Sequence, residues 1–280
     1  MAKRAPRSHA IVVGTDFSAG SHRALARAAE LARRHRAALH VVHAASRIPR
    51  ALTLRFSSAN DDKLRESLDA EVDKLRRASV DAHAHLMTGE PVKCLTAKAR
   101  TVSADLVVVG TRGNSVLAEM IGSTAERLLA SNGARVLLVR RSATRPYGKV
   151  VVAASDESRL SEQFAAAGFV SARPAAVLHT YEGPYESALI SRGASIGELA
   201  SYRSDARREA ALTMGKLLTK AGIEKSRLAL LHGNPFHLLD RLNPGWLIVL
   251  SRGRSRARRL VFGSVTRAVV AYGHSDVLLV

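Results

Sequence analysis

Three glycines and two hydroxyl residues near the middle of the chain have the composition of a phosphate-binding loop. The pattern is Gly110-Thr-Arg-Gly113, then eight residues, then Gly122-Ser123-Thr124 at the start of a predicted helix. Glycines let backbone N–H groups approach a ligand, and a helix N-terminus offers unpaired donors and partial positive charge to an anion. A polyphosphate suits this chemistry. The alternative is a turn and a capped helix, because Ser123-Thr-Ala-Glu126 also spells a capping box.

A second candidate loop follows the first apolar run of the chain. Residues 14–18 read Gly-Thr-Asp-Phe-Ser, so Asp16 stands directly after a short stretch rich in Val and Ile. A carboxylate at this position can accept hydrogen bonds from a ribose hydroxyl or a base amine. Asp16 or Ser18 can equally cap the helix that follows, and the sequence leaves both roles open.

Both loops occur twice, because the chain repeats itself. IVVGTDFS at 11–18 corresponds to VVAASDES at 151–158, which makes Asp156 the counterpart of Asp16. The two halves also close in the same way, with DLVVVGTRG in the first and WLIVLSRG in the second. The repeat predicts two copies of one fold, each with its own candidate site.

The second copy of the glycine pattern is degenerate. Leu250 replaces Gly110, and it adds a branched side chain where the backbone would approach a ligand. The later glycine and hydroxyl are retained after a spacer of nine residues. The candidate residues of this second site are Asp156, Gly253, Gly263 and Ser264.

The elements that must position these loops alternate between strand and helix. Short runs of Val, Ile and Leu are separated by helical patterns such as 20–36, 61–77 and 196–221. Continuous apolar strands linked by helices predict a mainly parallel sheet covered on both faces, whose ligands bind beyond the carboxyl ends of the strands. The sequence therefore predicts an α/β protein of two doubly wound, Rossmann-like domains in tandem, residues 1–141 and 149–280.

The aspartate after the first strand, the Gly-x-x-Gly motif and the later Gly-Ser resemble the universal stress protein family, twice over nearly the whole chain. The resemblance implies a fold like that of the adenine-nucleotide alpha-hydrolases, and ATP as ligand, with or without Mg²⁺. Asp16 would hold the adenosine, Gly110 and Gly113 would close on the ribose, and the phosphates would lie on Gly122, Ser123 and Thr124. The first copy departs from the family in its spacer, which has eight residues where the family has nine.

The same resemblance implies a regulatory role in the stress response rather than efficient catalysis. It also implies that the two domains form an intrachain pseudo-dimer through their last strands, 135–139 and 276–280, with further homodimerisation open. A P-loop motif and a Gly-x-Ser-x-Gly elbow are both missing from the sequence, so at most slow ATP hydrolysis is expected.

The charge of the chain supports a rival hypothesis. Lys and Arg number 43 against 24 Asp and Glu, a net charge of +19 that attracts polyanions, and arginines crowd residues 252–259. Aromatic residues make up 4% of the chain, too few for a base-stacking surface. We therefore expect only weak, salt-sensitive nucleic-acid binding, and a basic scaffold for proteins or nucleic acid is the alternative function.

Histidine and cysteine offer little further chemistry. Cys94 is the single cysteine, which excludes an intrachain disulfide, and we expect it to be a buried, inert thiol. His83 and His85 share one face of a predicted strand without a ligand-spaced carboxylate, so we expect no metal there. His43 and His179 are equivalent in the two copies, and a structural role is favoured for both over a place in the cleft.

The composition is that of a folded globular protein, with 46% hydrophobic and 24% charged residues. The first apolar run is shorter than the core of a signal peptide, and no run approaches the roughly 20 apolar residues that cross a bilayer. These observations predict a cytoplasmic protein without a membrane partner.

Overall fold

A computed structural model gives the fold of the chain as two compact units, Met1–Pro146 and Tyr147–Val280. It describes residues 9–45, 50–111, 128, 134–143, 146–155, 159–251 and 264–280, with the backbone alone for 50–60, 236, 240, 264 and 271. Each unit is a doubly wound α/β domain with a parallel sheet, which confirms the predicted fold class.

The first unit carries five described strands in the order β3-β2-β1-β4-β5, all of them parallel. Their bounds are β1 Ala10–Gly14, β2 Ala38–Ala45, β3 Ala82–Thr88, β4 Leu106–Gly110 and β5 Arg135–Val139. The helices between them are α1 Ala19–His35, α2 Arg50–Arg77 and α3 Pro91–Thr101.

The second unit repeats this order as β8-β7-β6-β9-β10, again with parallel neighbours. Its strands are β6 Val150–Ala153, β7 Ala175–Tyr181, β8 Leu228–His232, β9 Leu247–Leu250 and β10 Asp276–Leu279. Its helices are α4 Leu160–Val170, α5 Glu186–Ser191, α6 Ile196–Ala221, α7 Pro235–Asp240 and α8 Ser264–Tyr272, with a 3₁₀ turn at Lys225–Arg227.

The central strands form the core of each unit because both of their faces are covered. Ile11 of β1 and Leu106 of β4 are completely buried in the first unit, as is Leu247 of β9 in the second. Continuous apolar runs are the pattern that a parallel sheet between two helical layers requires. The periodicity of the sequence and the packing of the structure therefore agree.

The helix predicted at 61–77 is longer than the pattern indicates. It begins at Arg50. The periodic pattern stops short of this residue because residues 57–63 are helical in backbone but carry no large aliphatic side chain. Its C-terminal half buries Leu68 and Val72. Among the described helices, none combines the length and the apolar character needed to span a membrane.

Candidate functional site

The strand order of the first unit creates a crevice between β1 and β4. The chain leaves β1 towards β2 and β3 on one side and returns to β4 on the other, so the order reverses at this pair. Ligands of doubly wound sheets bind outside the carboxyl ends of the strands at such a reversal. Gly14 ends β1 and Gly110 ends β4, so the two predicted loops flank the crevice.

Asp16 lies two residues beyond β1 and is half-buried. One of its carboxylate oxygens, Oδ1, accepts a hydrogen bond from the Ser18 N–H at 3.1 Å. Ser18 caps α1, because its hydroxyl accepts from the Ser21 N–H at 3.2 Å. The capping role that the sequence left open between Asp16 and Ser18 therefore belongs to Ser18, while Asp16 holds the turn before the helix.

The turn itself is held by a histidine from β2. The carbonyl of Thr15 can only accept, so His43 donates to it from Nδ1 at 2.9 Å, which fixes the tautomer. The His43 ring also lies against Phe17, with centroids 4.8 Å apart. Phe17 has a φ of 61°, a conformation that costs an aromatic residue energy unless its surroundings hold it. His43 thus serves the backbone of the loop.

A buried carboxylate lies beneath the same loop. Glu71 of α2 is about nine-tenths buried, and its Oε1 is 2.6 Å from His22 Nε2, while its Oε2 is 3.3 Å from the Thr15 hydroxyl. A buried carboxylate needs such partners. The sequence analysis did not select Glu71. It lies on the apolar face of α2 with Leu68 and Val72, and a charged residue on such a face indicates a buried carboxylate with partners of its own.

Gly110 contacts the start of α1. A Cβ built on Gly110 would lie 2.5 Å from the carbonyl oxygen of Gly20 and 3.1 Å from the Ser21 nitrogen. The absence of a side chain therefore lets the first turn of α1 pack on the end of β4. Helix packing is a reason for this glycine that is independent of any ligand.

The second unit keeps the histidine and changes the glycine. His179 donates from Nδ1 to the Ala154 carbonyl at 2.9 Å, the same contact that His43 makes. Leu250 pairs with Leu279 as Val109 pairs with Leu138, so in the register of the sheet Leu250 corresponds to Val109 and Ser251 corresponds to Gly110. The predicted replacement of Gly110 by Leu250 is therefore wrong, and Leu250 is a buried strand residue. α4 begins seven residues after β6, whereas α1 begins five residues after β1, and its N-cap Arg159 makes no side-chain capping bond.

Comparison with known proteins also divides the chain into two parts. The sequence profile of the Universal stress protein family matches the chain twice, over residues 8–140 and 146–280. The chain belongs to this family. A curated relative, Universal stress protein A homolog 1 from Coxiella burnetii, is 30% identical over 125 residues, which cover 42% of this chain and 87% of that protein.

Solved structures of universal stress proteins share the fold. One from Archaeoglobus fulgidus covers 98% of this chain and of its own, with a TM-score of 0.68 and 17% identity. A universal stress protein solved in complex with cAMP covers 49% of this chain and all of its own, with 28% identity and a TM-score of 0.40. The structure from Archaeoglobus fulgidus therefore resembles nearly the whole of this chain, and not one half alone.

Most of the motif residues predicted for this universal stress protein lie outside the described part of the chain. Asp16 and Gly110 are the two that the structure brings to one crevice, and Ser264 is described as the first residue of α8 by its backbone alone. Arg267 is exposed on α8. The residues outside the described ranges are Gly113, Gly122, Ser123, Thr124, Asp156, Gly253 and Gly263, together with the arginines of 252–259.

The predicted histidine pair is joined by a third histidine. His40 of β2 lies opposite His83, with their rings stacked 5.1 Å apart, and its Nδ1 is 3.0 Å from His85 Nε2. Burial, then the positive Lys98, lowers the pKa of His85 to about 4. Burial and the neighbouring His83 also lower the pKa of His40. In the described part of the chain, no group of three or more such side chains has the geometry to hold a metal ion.

Cys94 lies on α3 and is buried. Burial raises the pKa of its thiol, which keeps it protonated and poorly nucleophilic at neutral pH. The side chain therefore behaves as a small apolar group of the core, as the sequence indicates.

The second unit contains an ionic cluster around a buried carboxylate that the sequence did not reveal. The carboxylate of Glu186 is nearly inaccessible, accepts from Arg203 Nε at 2.7 Å and lies 2.7 Å from His232 Nε2. Hydrogen bonds from His232 first, then from Arg203, lower the pKa of this carboxyl against the opposing effect of burial. The cluster ties α5 to the end of β8 and to α6, so its role is structural.

Proposed function

We propose that the first unit of this universal stress protein binds ATP in the crevice between β1 and β4, and that the chain acts as a stress-response regulator. The observation that carries the proposal is the position of Asp16 and Gly110 at the reversal of the strand order. Doubly wound sheets bind nucleotides at such a reversal. The high positive charge of the chain also favours an anionic ligand.

Each part of the first motif has a distinct task in this proposal. The Asp16 carboxylate, oriented by the Ser18 N–H, accepts from the adenosine. The backbone from Gly110 to Gly113 closes on the ribose, and N–H groups at Gly122, Ser123 and Thr124 hold the phosphates. ATP needs no covalent chemistry for such a role, since its presence or absence can bias a conformational equilibrium.

Calorimetric titration with ATP at about 0.15 M salt tests the proposal, because surface charges are screened beyond roughly 8 Å at that ionic strength. We expect one site per chain, which Gly122→Val removes and Gly263→Val, the matched change in the second unit, leaves in place. Melting curves check that both variants fold. Absence of binding heat and of a thermal shift in the wild type, or loss of binding in Gly263→Val alone, would refute the assignment to the first unit.

The second unit supports a different role. Ser251 takes the place of Gly110, α4 starts later and lacks a side-chain cap, and Ala154 takes the place of Thr15, since its carbonyl accepts from the histidine. These changes put a side chain at the position of Gly110, and they remove the Thr15 hydroxyl and the Ser18 cap that hold the loop of the first unit. We therefore propose that the second unit works as a protein-binding scaffold without nucleotide.

Two expectations from the sequence stay predictions. Nucleic-acid binding is expected to be weak, and a steep fall in affinity between 50 mM and 200 mM salt would identify it as contact with phosphates. Pairing of the two units through their last strands, and any further homodimer, likewise rests on the family resemblance.

A further inference from the structure

The long helix α6 carries an open apolar groove on the second unit. The helix has 26 residues, and only Met214 and Leu218 are buried among them. Leu212 is 63% exposed, and Ala211 and Gly215 beside it line a groove of about 500 Å³. A leucine so exposed beside small residues gives an incoming side chain apolar surface to cover.

The repeat shows that this surface is particular to the second unit. α2 and α6 end alike, because Ser79 and Gly222 both take the left-handed conformation. In each helix the residue that follows donates its N–H to a carbonyl of the last turns, Val80 to Leu75 and Ile223 to Leu218. Counting back from these ends, Leu212 takes the place of Asp69 and Lys216 that of Asp73. The same face is acidic in the first unit and apolar and basic in the second.

Small residues open the groove next to this changed face. By the same count, Ala211 and Gly215 take the places of Leu68 and Val72, which are buried inside the first unit. The corresponding positions of α6 are exposed or half-buried. The second unit therefore leaves open a helix face that the first unit fills with its own aliphatic side chains.

Three lysines border the groove. Lys216, Lys220 and Lys225 line it, and none of them has an ion-pair partner among the described residues. The adjacent Glu224 carboxylate accepts from the Ser226 hydroxyl at 3.3 Å. An apolar groove with unpaired positive charges at its edge is complementary to an apolar ligand edged with negative charges.

We propose that the α6 groove, formed by Ala211, Leu212, Gly215 and the three lysines, docks an acidic amphipathic helix of a partner protein. Leucine-like side chains of the partner cover Leu212 and enter the groove, while its Asp and Glu side chains pair with the lysines. A helix lying in an apolar groove is a common mode of peptide recognition. The inference names a partner for the second unit and does not depend on nucleotide binding.

A second copy of the chain fits the groove less well. The chain carries a net charge of +19, so two copies repel each other. The exposed acidic face of α2, with Asp62, Glu66, Asp69 and Asp73, offers charges but no large apolar side chain to fill the groove. The partner must supply both negative charges and large apolar side chains.

The test is fluorescence anisotropy of the full chain with a labelled synthetic peptide at about 0.15 M salt. The probe has about 18 residues, five helical turns, with Leu at positions i, i+3, i+4 and i+7 and Glu on the flanks. We expect saturable one-to-one binding that a scrambled peptide of equal composition lacks. Leu212→Glu should weaken it at least about tenfold, as truncation of a central contact does.

Lys216→Glu and Lys74→Glu provide the matched pair, because each reverses one exposed lysine and only Lys216 borders the groove. We expect affinity to fall in Lys216→Glu alone and to be retained in Gly122→Val. Equal losses in the two lysine variants, or equal binding of the scrambled peptide, would show general attraction to a basic chain and overturn the proposal. So would Leu212-dependent binding to phosphatidylserine vesicles, or Leu212-dependent self-association, without peptide binding.

Discussion

Replacement of Gly110 by alanine should destabilise the first unit through a backbone collision. The new Cβ would lie 2.5 Å from the Gly20 oxygen and 2.6 Å from its carbonyl carbon, whereas ordinary contacts begin near 3.4 Å. Both atoms belong to the backbone at the start of α1, so no side chain can rotate away. The helix start must move by roughly 1 Å, and overpacking of this kind costs about 1–3 kcal/mol, here towards the upper end.

Gly14→Ala is the matched control, since Gly14 ends the neighbouring strand of the same crevice. The nearest atoms to its Cβ would be the end of the Leu95 side chain, at 3.3 Å, which can adjust, and the Val109 side chain at an ordinary 3.6 Å. We expect a change within about 1 kcal/mol, because the loss of chain entropy in the unfolded state offsets part of any strain. The two variants thus separate the collision from the general effect of removing a glycine.

Urea unfolding followed by far-UV circular dichroism gives the comparison. We expect the midpoint of Gly110→Ala to fall well below those of the wild type and Gly14→Ala. The chain has two units, so the curves need the coincidence of two probes before a free energy is extracted; the single Trp246, in the second unit, supplies the second probe by fluorescence. Equal midpoints for the two alanine variants would refute the packing role of Gly110.

Three further variants test other contacts. Gly183→Ala places a Cβ against the Tyr202 ring, whose hydroxyl accepts from the Tyr185 N–H, so we expect the free energy of unfolding to fall by about 1–3 kcal/mol and the urea midpoint to fall with it. Gly168→Ala, at an exposed position in the last turn of α4 with nothing near its Cβ, should stabilise by about 0.5 kcal/mol, and a lower midpoint would contradict this. The lowered pKa of His85 means that the unfolded chain binds more protons between pH 6.5 and about 4, so stability should fall as the pH drops through that window. The stability of His85→Gln should fall less between pH 7 and pH 5 than that of the wild type. An equal fall in the two proteins would exclude His85 as a contributor to this pH dependence.

The fold could be predicted because the sheet is parallel and buried. Strands such as β1 and β4 must be apolar on both faces, so they stand out as short runs of Val and Ile without reference to any distant contact. The repeat then doubles the evidence, because an element that is weak in one copy is supported by its counterpart. The extension of α2 to Arg50 escaped this reasoning, since the polar stretch 57–63 interrupts the helical period of the apolar residues.

The candidate site could be predicted only as far as local sequence determines it. Asp16 follows β1 directly, and its position at the crevice needs no more than the strand and the rule for parallel sheets. Glu71 and His40 depend on contacts far along the chain. Glu71 needs the packing of α2 on the loop after β1, and His40 needs the register that places it opposite His83. Neither the packing nor the register is written in a short motif.

The tandem repeat separates the residues that the fold needs from those that differ between the units. His43 and His179 hold the same carbonyl in both, which makes this contact part of the fold. Three positions differ, and each change alters chemistry: Gly110 becomes Ser251, the buried Glu71 becomes Met214, and the exposed Asp69 becomes Leu212. The first change adds a small side chain at the end of the strand, the second replaces a buried carboxylate by an apolar side chain, and the third adds apolar surface on the outside. A unit that has lost polar groups inside and gained apolar surface outside is suited to a protein partner, which is the division of roles that the peptide and ATP titrations together test.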